Sequence, residues 1–390
     1  MARTGGSRAS PAAPPQGDIA SGVEQPPKRR ARGVVRGLLD PSPSLLDRGG
    51  TAIRPDAIES GGNVTTMGID VGATTIAGGL VTGAGDVLEV LQAPTHRHGP
   101  GTAVETLFEV VDDLLVKTAG TGLTLTGVGV GVPGAIDPEK GVMVKPPHHP
   151  VPELADLRLG EQISTRTGLP AFVDNDANAL ALGESTFGLA RGAASLVLLA
   201  VGTNIGGGII HDGRVVRGHA GFGGELGHVP INFDGPACFC GGKGCLGMYL
   251  GGAQMALEAR RRIDPLRSSA LLTLAGGEAS AITSTTVFEA ARAGDPVARA
   301  MVEEACEALG ASLGGIVNGM NPEVVIITGG VAESLLPLET DILQRVRRYA
   351  YAPALSNTRI SIVPTDKRRS MRGAAALVLY ELGHRGRREA

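Results

Sequence analysis

Cysteine and aromatic residues are scarce in this sequence, and tryptophan is absent. Its 390 residues include four cysteines, and aromatic side chains make up only 3%. No run approaches the roughly 20 apolar residues that span a bilayer, and the opening "MARTGGSRASPAAPPQG" lacks the apolar core of a secretory signal. We therefore expect a cytoplasmic protein with no membrane partner. In a reducing compartment, four cysteines favour a metal site or buried thiols over a disulfide scaffold.

A strong excess of charge and the familiar nucleotide motifs are missing as well. The formal net charge is −3, which gives no general reason to expect nucleic acid or anionic lipid as a partner. No G-x-x-x-x-G-K-[ST] occurs, which excludes a P-loop enzyme. No G-x-G-x-x-G joins a first strand to a helix, which counts against a Rossmann dehydrogenase. Glycine, by contrast, is abundant at 59 residues, many of them inside apolar runs where the backbone must approach a neighbour closely or adopt positive φ.

Composition divides the chain into an extension and a folded region. Residues 1–62 are rich in Pro, Gly, Ser, Ala and Arg, so we expect them to be disordered, with "KRRARGVVR" a solvated tail rather than a polyanion site. Met67 opens the first strong strand and is an alternative start. Strands and helices then alternate, which predicts an α/β fold. Apolar spacing predicts a helix around 104–115, and further helices are expected near 251–263, 286–293, 296–319 and 371–382.

One phrase of the sequence recurs. "MGIDVGATTIAGGLV" and, about 130 residues later, "LLAVGTNIGGGIIHDGRVV" share a strand, glycine-turn, strand plan. A duplicated unit would place two glycine turns opposite each other. The turns "DVGATT" (70–75), "GTNIGGG" (202–208) and "TGGV" (328–331) offer backbone N–H groups without side-chain bulk, which favours phosphate binding. We therefore expect a nucleotide cleft, with Asp70 holding Mg²⁺ through water.

Three of the four cysteines fall in "GHVPINFDGPACFCGGKGC", residues 227–245. The pattern His-x9-Cys-x-Cys-x4-Cys supplies a full ligand set for a four-coordinate structural Zn²⁺. Three ordinary buried thiols are the alternative. His219 competes as the fourth ligand, although a surface loop position suits it better, and Cys306 is expected to be a small core residue. The predicted metal ligands are His228, Cys238, Cys240 and Cys245.

The triplet "DND" (174–176) follows a predicted strand, where α/β folds often mount catalytic side chains. Asp176, at a helix start, could accept a proton from a substrate hydroxyl during phosphoryl transfer. The alternative is a plain helix N-cap.

Over residues 65–383 the chain resembles the ROK family of sugar kinases and repressors. The resemblance rests on "GIDVGATTIAGGLV", "GVGVGVPGAIDPEKG", "VDNDANALALGE", "VGTNIGGGII", "GHAGFGGELGHVPI", "CFCGGKGCLG", "NPEVVIITGGV" and the closing "GAA". It implies an actin-like, hexokinase-type (RNase H-like) fold with a central ATP and sugar cleft. A small domain (63–192, plus a helix at 368–386) would face a large domain (193–367) that carries the zinc loop.

The resemblance also implies roles for particular residues. Asp176 is the catalytic base, and Asn175, Glu225 and His228 contact the sugar. ATP, Mg²⁺ and structural Zn²⁺ are the implied cofactors, and a homodimer or homotetramer is expected. The nucleotide-binding residues implied are Asp70, Gly72, Thr74, Gly202, Thr203, Gly329 and Gly330.

Some positions depart from the family pattern. Many members carry a Glu near the anomeric carbon in a "GCLE" phrase, and here Gly247 stands in "GCLG". A family Asn is missing from "VKPPHHPVPEL", where either His148 or His149 takes its place or the two form an exposed loop pair. Further departures are Thr75, Asn204 and "DKRRSMR".

Together these observations favour an ATP-dependent kinase acting on the primary hydroxyl of a hexose or hexose-like ring. Because Gly247 removes a carboxylate, a C7-cyclitol 7-kinase or an amino-sugar 6-kinase of secondary metabolism is the alternative. A repressor is less favoured, because the Pro-rich N-terminal segment offers no helix pair for a major groove. A non-catalytic sugar binder is also less favoured, because "DND" is intact.

Overall fold

The computed structural model describes residues 64–137, 141–143, 151–264 and 269–388. The predicted disorder of residues 1–62 and the pair His148 and His149 fall outside the described residues. Within the described ranges, no helix combines the length and apolar character needed to cross a membrane.

Two five-stranded sheets organise the described residues. The first has the order β3-β2-β1-β4-β7, and the second has the order β10-β9-β8-β11-β12, while β5 and β6 form a separate pair. The strands are β1 Val64–Val71, β2 Thr75–Thr82, β3 Val87–Pro94, β4 Thr124–Val132, β5 Ile136–Asp137, β6 Val142–Met143, β7 Ala171–Asn175, β8 Ser195–Val201, β9 Ile205–His211, β10 Arg214–Val215, β11 Val324–Thr328 and β12 Arg359–Ile362.

The recurring phrase predicted from the sequence is a structural repeat. In the first sheet β1 turns back antiparallel into β2 and lies parallel to β4. In the second sheet β8 turns back antiparallel into β9 and lies parallel to β11. Each sheet thus begins with a hairpin around a glycine turn and adds parallel strands beside it.

Helices cover the outer faces of both sheets and fill the space between them. They are α1 Ala103–Thr118, α2 Leu159–Thr167, α3 Asp176–Thr186, α4 Gly247–Leu250, α5 Gly252–Arg262, α6 Ala270–Leu274, α7 Ser284–Arg292, α8 Pro296–Met320, α9 Ala332–Leu335, α10 Glu339–Tyr349, α11 Ala352–Leu355 and α12 Lys367–Arg388, with 3-10 turns at Pro152–Leu154, Leu226–His228, Ala279–Ala281 and Leu336–Leu338. The helix predicted from apolar spacing and the four further helices expected from the sequence all appear. Local chemistry sets the ends of α8: Asp295 caps its first N–H groups, Pro296 follows, and Asn321 ends it in the left-handed region.

The middle layer consists of α3 and α12. Helix α12 packs against α3, β1 and β4, and α3 also packs against β9. Their apolar side chains join both sheets in one buried cluster, which includes Phe172, Leu182, Leu198, Ile326 and Leu377. Separate clusters lie on the outer faces, where α1 and α2 cover the first sheet and α5, α7, α8 and α10 cover the second. This layering places the carboxyl end of β7 and the start of α3 between the two sheets.

Glycine permits the close contact between α12 and the first sheet. A Cβ added at Gly129 of β4 would stand 1.8 Å from the carbonyl oxygen of Ala374, and one at Gly68 of β1 would stand 2.1 Å from that of Met371. Both distances are far below van der Waals contact, so the helix can approach the sheet this closely only where side chains are missing.

Candidate active site

Asp176 is the first residue of α3, and the residue before it, Asn175, is the N-cap of the helix. The side-chain oxygen of Asn175 accepts hydrogen bonds from the backbone N–H groups of Ala177 and Asn178 at 2.9 and 3.2 Å. The Asn175 amide nitrogen donates to the carbonyl oxygen of Gly134 at 3.0 Å. Asn175 therefore performs the capping that was the alternative role for Asp176, which leaves Asp176 half-buried at the helix start. Both ends of the Asn175 amide are engaged within the protein, and its predicted sugar contact stays a prediction.

Strand register explains why a second carboxylate lies close to Asp176. Asp70 pairs with Gly131, and Gly131 pairs with Asp174, so these three residues form a row across three parallel strands. A Cβ at Gly131 would lie 3.4 Å from the Cα of Asp176. The glycine therefore leaves room for α3 to start directly over this row.

The two carboxylates influence each other electrostatically. Burial, followed by the negative charge of Asp70, raises the pKa of Asp176 to about 7. Burial also raises the pKa of Asp70, and Lys367 and the Ser370 side chain, at the start of α12, only partly oppose that rise. A base that ionises near neutral pH suits proton transfer from a hydroxyl. Sequence spacing gave no sign of Lys367 and Ser370, because nearly 300 residues separate them from Asp70.

Glycines in β9 bring the start of α3 and a surface loop together on one strand. A Cβ at Gly208 would stand 2.4 Å from the carbonyl oxygen of Ala177, and a Cβ at Gly207 would stand 2.3 Å from that of Gly224. Successive residues of a strand face opposite sides. One face of β9 therefore receives the first turn of α3, and the other receives the loop that carries Glu225.

Glu225 and His228 occupy the ends of one short turn. The 3-10 turn Leu226–His228 directly follows Glu225, and its Gly227 packs so tightly on β9 that a Cβ would lie 2.3 Å from the carbonyl oxygen of Ile205. The Glu225 side chain is exposed and makes no hydrogen bond or ion pair with the part of the chain that the structure describes. Its carboxylate is therefore available to a ligand.

The structure brings the four predicted metal ligands together. The ligand atoms of His228, Cys238, Cys240 and Cys245 all lie within 4.8 Å of one another. His228 Nδ1 is 3.5 Å from Cys238 Sγ, and Cys240 Sγ is 3.7 Å from Cys245 Sγ. A tetrahedron with Zn–S of about 2.3 Å and Zn–N of about 2.05 Å has edges of about 3.8 and 3.5 Å. The donor set therefore fits a zinc ion in both chemistry and spacing, and His219 lies outside it on an exposed loop.

The loop that holds these ligands is also shaped by its backbone. Cys238 N–H donates to the carbonyl oxygen of Gly242 at 2.8 Å, and Ile231 N–H donates to that of Gly244 at 2.9 Å. Gly244 has a φ of +67°, and a Cβ there would lie 1.7 Å from the carbonyl oxygen of Asn232. Cys306, the fourth cysteine, is buried in α8, as its predicted core role requires.

The second and third glycine turns meet at one edge of the second sheet. The parallel register places Thr328, the last residue of β11, beside Ala200 of β8. The glycines of "TGGV" and the turn "GTNIG" therefore follow the ends of two neighbouring strands. Val331 N–H donates to the carbonyl oxygen of Val201 at 3.0 Å, and Gly252 N–H, at the start of α5, donates to that of Gly202 at 2.9 Å. Thr203 is exposed in this turn.

The first glycine turn lies between β1 and β2, next to Asp70. Gly72 N–H donates to the carbonyl oxygen of Thr75 at 3.0 Å. The Thr95 hydroxyl donates to the carbonyl oxygen of Gly72 at 2.7 Å, and the Thr95 N–H donates to that of Thr74 at 3.0 Å. The turn is thus held from behind by Thr95 while Thr74 stays exposed.

Comparison with known proteins identifies the family. The sequence profile of the ROK family matches residues 66–381, so the chain belongs to the ROK family and has its actin-like, hexokinase-type fold. The chain is 32% identical over 322 residues to a glucokinase from Thermotoga maritima. The matched region covers 81% of this chain and 98% of that protein.

Two further relatives show the range of the family. The crystal structure of a ROK family glucokinase from Streptomyces griseus in complex with glucose and AMPPNP is 31% identical, with a TM-score of 0.62, and the match covers 80% of this chain and 98% of that one. A xylose repressor from Caldicellulosiruptor bescii is 30% identical over 277 residues, which cover 71% of this chain and 68% of the repressor.

Proposed function

We propose that the chain is an ATP-dependent kinase that phosphorylates the primary hydroxyl of a hexose or hexose-like substrate. The observation that carries this proposal is Asp176, a carboxylate with a pKa raised to about 7 at the start of α3. The first turn of α3, through Ala177, packs on one face of β9, and the opposite face of that strand supports the loop of Glu225. The relatives named glucokinase and the bound glucose and AMPPNP in one of them support the same activity.

In the proposed reaction, Glu225 and His228 hold hydroxyls of the acceptor, and Asn175 adds a contact through the remaining hydrogen-bonding capacity of its amide. The primary hydroxyl oxygen attacks the γ-phosphorus of ATP while its proton passes to Asp176. The bond from the γ-phosphorus to the bridging oxygen breaks, and ADP leaves.

The glycine turns would bind the nucleotide. Gly72 and Thr74 in the first turn, with Gly202 and Thr203 in the second, would receive the phosphates through backbone N–H groups and exposed hydroxyls. Gly329 and Gly330 would border the adenosine. Mg²⁺ would accompany the phosphates, with Asp70 holding it through water.

A structural Zn²⁺ would be held by His228, Cys238, Cys240 and Cys245, whose spacing suits it. Bound there, the ion would lock the loop into one shape, so that Glu225 and His228 present fixed hydrogen bonds. The proposed small domain (63–192 with 368–386) and large domain (193–367) would close on the substrates and exclude water that could otherwise accept the phosphoryl group. A homodimer or homotetramer remains our proposal for the assembly.

A second acceptor class is favoured by Gly247. A Cβ at this position would meet only the carbonyl oxygen of Gly227, at 3.3 Å, so the position next to the metal loop is nearly open. Without a carboxylate here, a C7 cyclitol would lose nothing for lacking an anomeric hydroxyl, and an amino sugar is the other acceptor of this class.

A screen of ATP turnover tests these alternatives together. The acceptors are glucose, mannose, N-acetylated hexosamines, kanosamine-like amino sugars and C7 cyclitols. Acceptor-dependent ADP formation with any of them supports the kinase, and the preferred acceptor decides its class. Binding of an acceptor without turnover would instead support a non-catalytic binder. Sequence-specific DNA binding without turnover would support a repressor, the class of some relatives.

A further inference from the structure

Arg217 links the loop that leads to Glu225 with the strand that leads to Asp176. Its Nε donates to Asp174 Oδ2 at 2.7 Å, and one of its terminal nitrogens donates to Glu381 Oε1 at 2.6 Å. Asp174 is the last residue but one of β7, in the first sheet, and Glu381 lies on α12. Arg217 itself follows β10, in the second sheet.

The surroundings of Arg217 hold it in one orientation. Its guanidinium lies 5.5 Å from the centre of the Tyr380 ring, and the Tyr380 hydroxyl accepts a hydrogen bond from Val215 N–H at 3.2 Å. The Asp174 side chain is only 3% exposed, and that of Arg217 is 22% exposed. The ion pair is therefore largely withdrawn from solvent.

The other oxygen of Asp174 holds the start of α3. Asp174 Oδ1 accepts hydrogen bonds from Asn175 N–H at 2.7 Å and from the Asn178 amide nitrogen at 3.0 Å. The buried carboxylate of Asp174 thus binds Arg217 through one oxygen. Through its other oxygen it binds Asn175 and Asn178, which lie before and after Asp176 in the chain.

The loop from Arg217 to Gly224 is also fixed at its far end, next to Glu225. Gly223 N–H donates to the carbonyl oxygen of Arg217 at 2.8 Å, which closes the loop, and Gly224 packs against Gly207 of β9. Glu225 follows at once. A shift of Arg217 would therefore move the backbone directly before Glu225.

From these contacts we propose that Arg217 is a positioning residue that sets the distance between the base Asp176 and the acceptor loop of Glu225. The proposal rests on the kinase function proposed above. A buried ion pair adds little net stability, because desolvation offsets the attraction between its charges. Its value here lies in geometry: the planar guanidinium donates from two nitrogens to two carboxylates on different elements, which a lysine cannot do equally well.

The test compares the full-length wild-type chain with Arg217→Met, Arg217→Lys and Arg214→Met. Arg214 is an exposed arginine of β10, and its variant serves as the control. With the best acceptor from the screen, Arg217→Met lowers kcat by roughly 10- to 100-fold, as small misplacements of reacting groups do, while the acceptor KM changes by less than about threefold. Arg217→Lys recovers part of the loss, and Arg214→Met matches the wild type.

A second readout does not depend on activity. Amide hydrogen exchange in segments 174–178 and 218–228 becomes faster in Arg217→Met and stays at the wild-type rate in Arg214→Met. A lower melting temperature with unchanged kcat and unchanged exchange would overturn the proposal, because a purely structural ion pair gives that result. If Arg217→Met does not fold, Arg217→Lys carries the test, and wild-type kcat and exchange in that variant would overturn it. If the wild type phosphorylates none of the acceptors, the proposed function fails, and the exchange result alone decides whether Arg217 orders both segments.

Discussion

Asp70 and Asp176 lie on different elements, yet the negative charge of Asp70 helps to raise the pKa of Asp176 to about 7. Burial of Asp176 is the largest cause of that rise, and the charge of Asp70 is the second. Gly131 pairs with Asp70 across the strands, and a Cβ there would lie 3.4 Å from the Cα of Asp176, so the glycine keeps the space beside both residues free of a side chain. A carboxylate in this position is mostly protonated in mild acid and becomes a base around neutral pH.

We expect the rate of phosphorylation to depend on pH accordingly. Asp176 must be ionised to accept the hydroxyl proton, so kcat/KM falls as pH drops through about 7 and levels off above it. The check is a profile of kcat/KM from pH 5 to pH 9 at saturating ATP. Asp113→Asn, which alters an exposed residue of α1, should keep the same profile. A flat profile across the neutral range would show that Asp176 is not the base.

Metal removal should disable the acceptor loop. Cys238→Ser is expected to lose zinc and to lower kcat/KM by roughly tenfold or more, because each displaced hydrogen bond to a charged group is worth about 1.5–3 kcal/mol. Metal content measured by mass spectrometry and acceptor kinetics check this. The control is Cys306→Ala in α8, which lies outside the ligand group and should keep stoichiometric zinc. A zinc-free wild-type protein with full activity would contradict the account.

Position 247 should control the choice of acceptor. Gly247→Glu places a carboxylate beside the Gly227 backbone, where a Cβ meets one atom at 3.3 Å and needs only a small adjustment. We expect the ratio of kcat/KM for glucose over a C7 cyclitol to rise by roughly tenfold or more. Gly247→Ala adds the Cβ without the charge and should leave the ratio close to that of the wild type. A wild type that already prefers glucose strongly would contradict the idea.

The contact of α12 with the first sheet gives a prediction about stability. Gly129→Ala forces a Cβ to within 1.8 Å of the Ala374 carbonyl oxygen, so the free energy of unfolding should fall by at least about 2 kcal/mol. Gly315→Ala in α8 meets no atom within 4 Å and should raise the free energy of unfolding by about 0.5–1 kcal/mol. Denaturant unfolding of both variants decides the matter. Equal stabilities would mean that α12 does not lie against β4 as described.

Much of this molecule could be predicted where the signal is local. The metal ligands fall within 18 residues of chain, so spacing and glycine content limited their arrangement, and the structure groups the same four. Apolar spacing likewise predicted α1, because a helix face repeats within a few residues. The duplicated hairpins were visible as a repeated phrase.

Contacts between distant segments could not be predicted in this way. Arg217 and Asp174 are 43 residues apart, and no sequence pattern around either residue indicates that the two form an ion pair. Asn175 and Asp176 are both good capping residues, so only the backbone at the end of β7 shows which one caps α3. The position of α12 between the sheets also depends on tertiary packing rather than on its own sequence.

The most direct test of the central claim is the turnover of Asp176→Asn beside the wild type, measured as acceptor-dependent ADP formation. The substitution keeps the size of the side chain and an oxygen that can accept the Ala177 N–H, so the variant should fold and bind ATP and acceptor. Loss of the base should lower kcat by roughly 10²–10⁴-fold. A variant that folds and turns over at the wild-type rate would contradict the account.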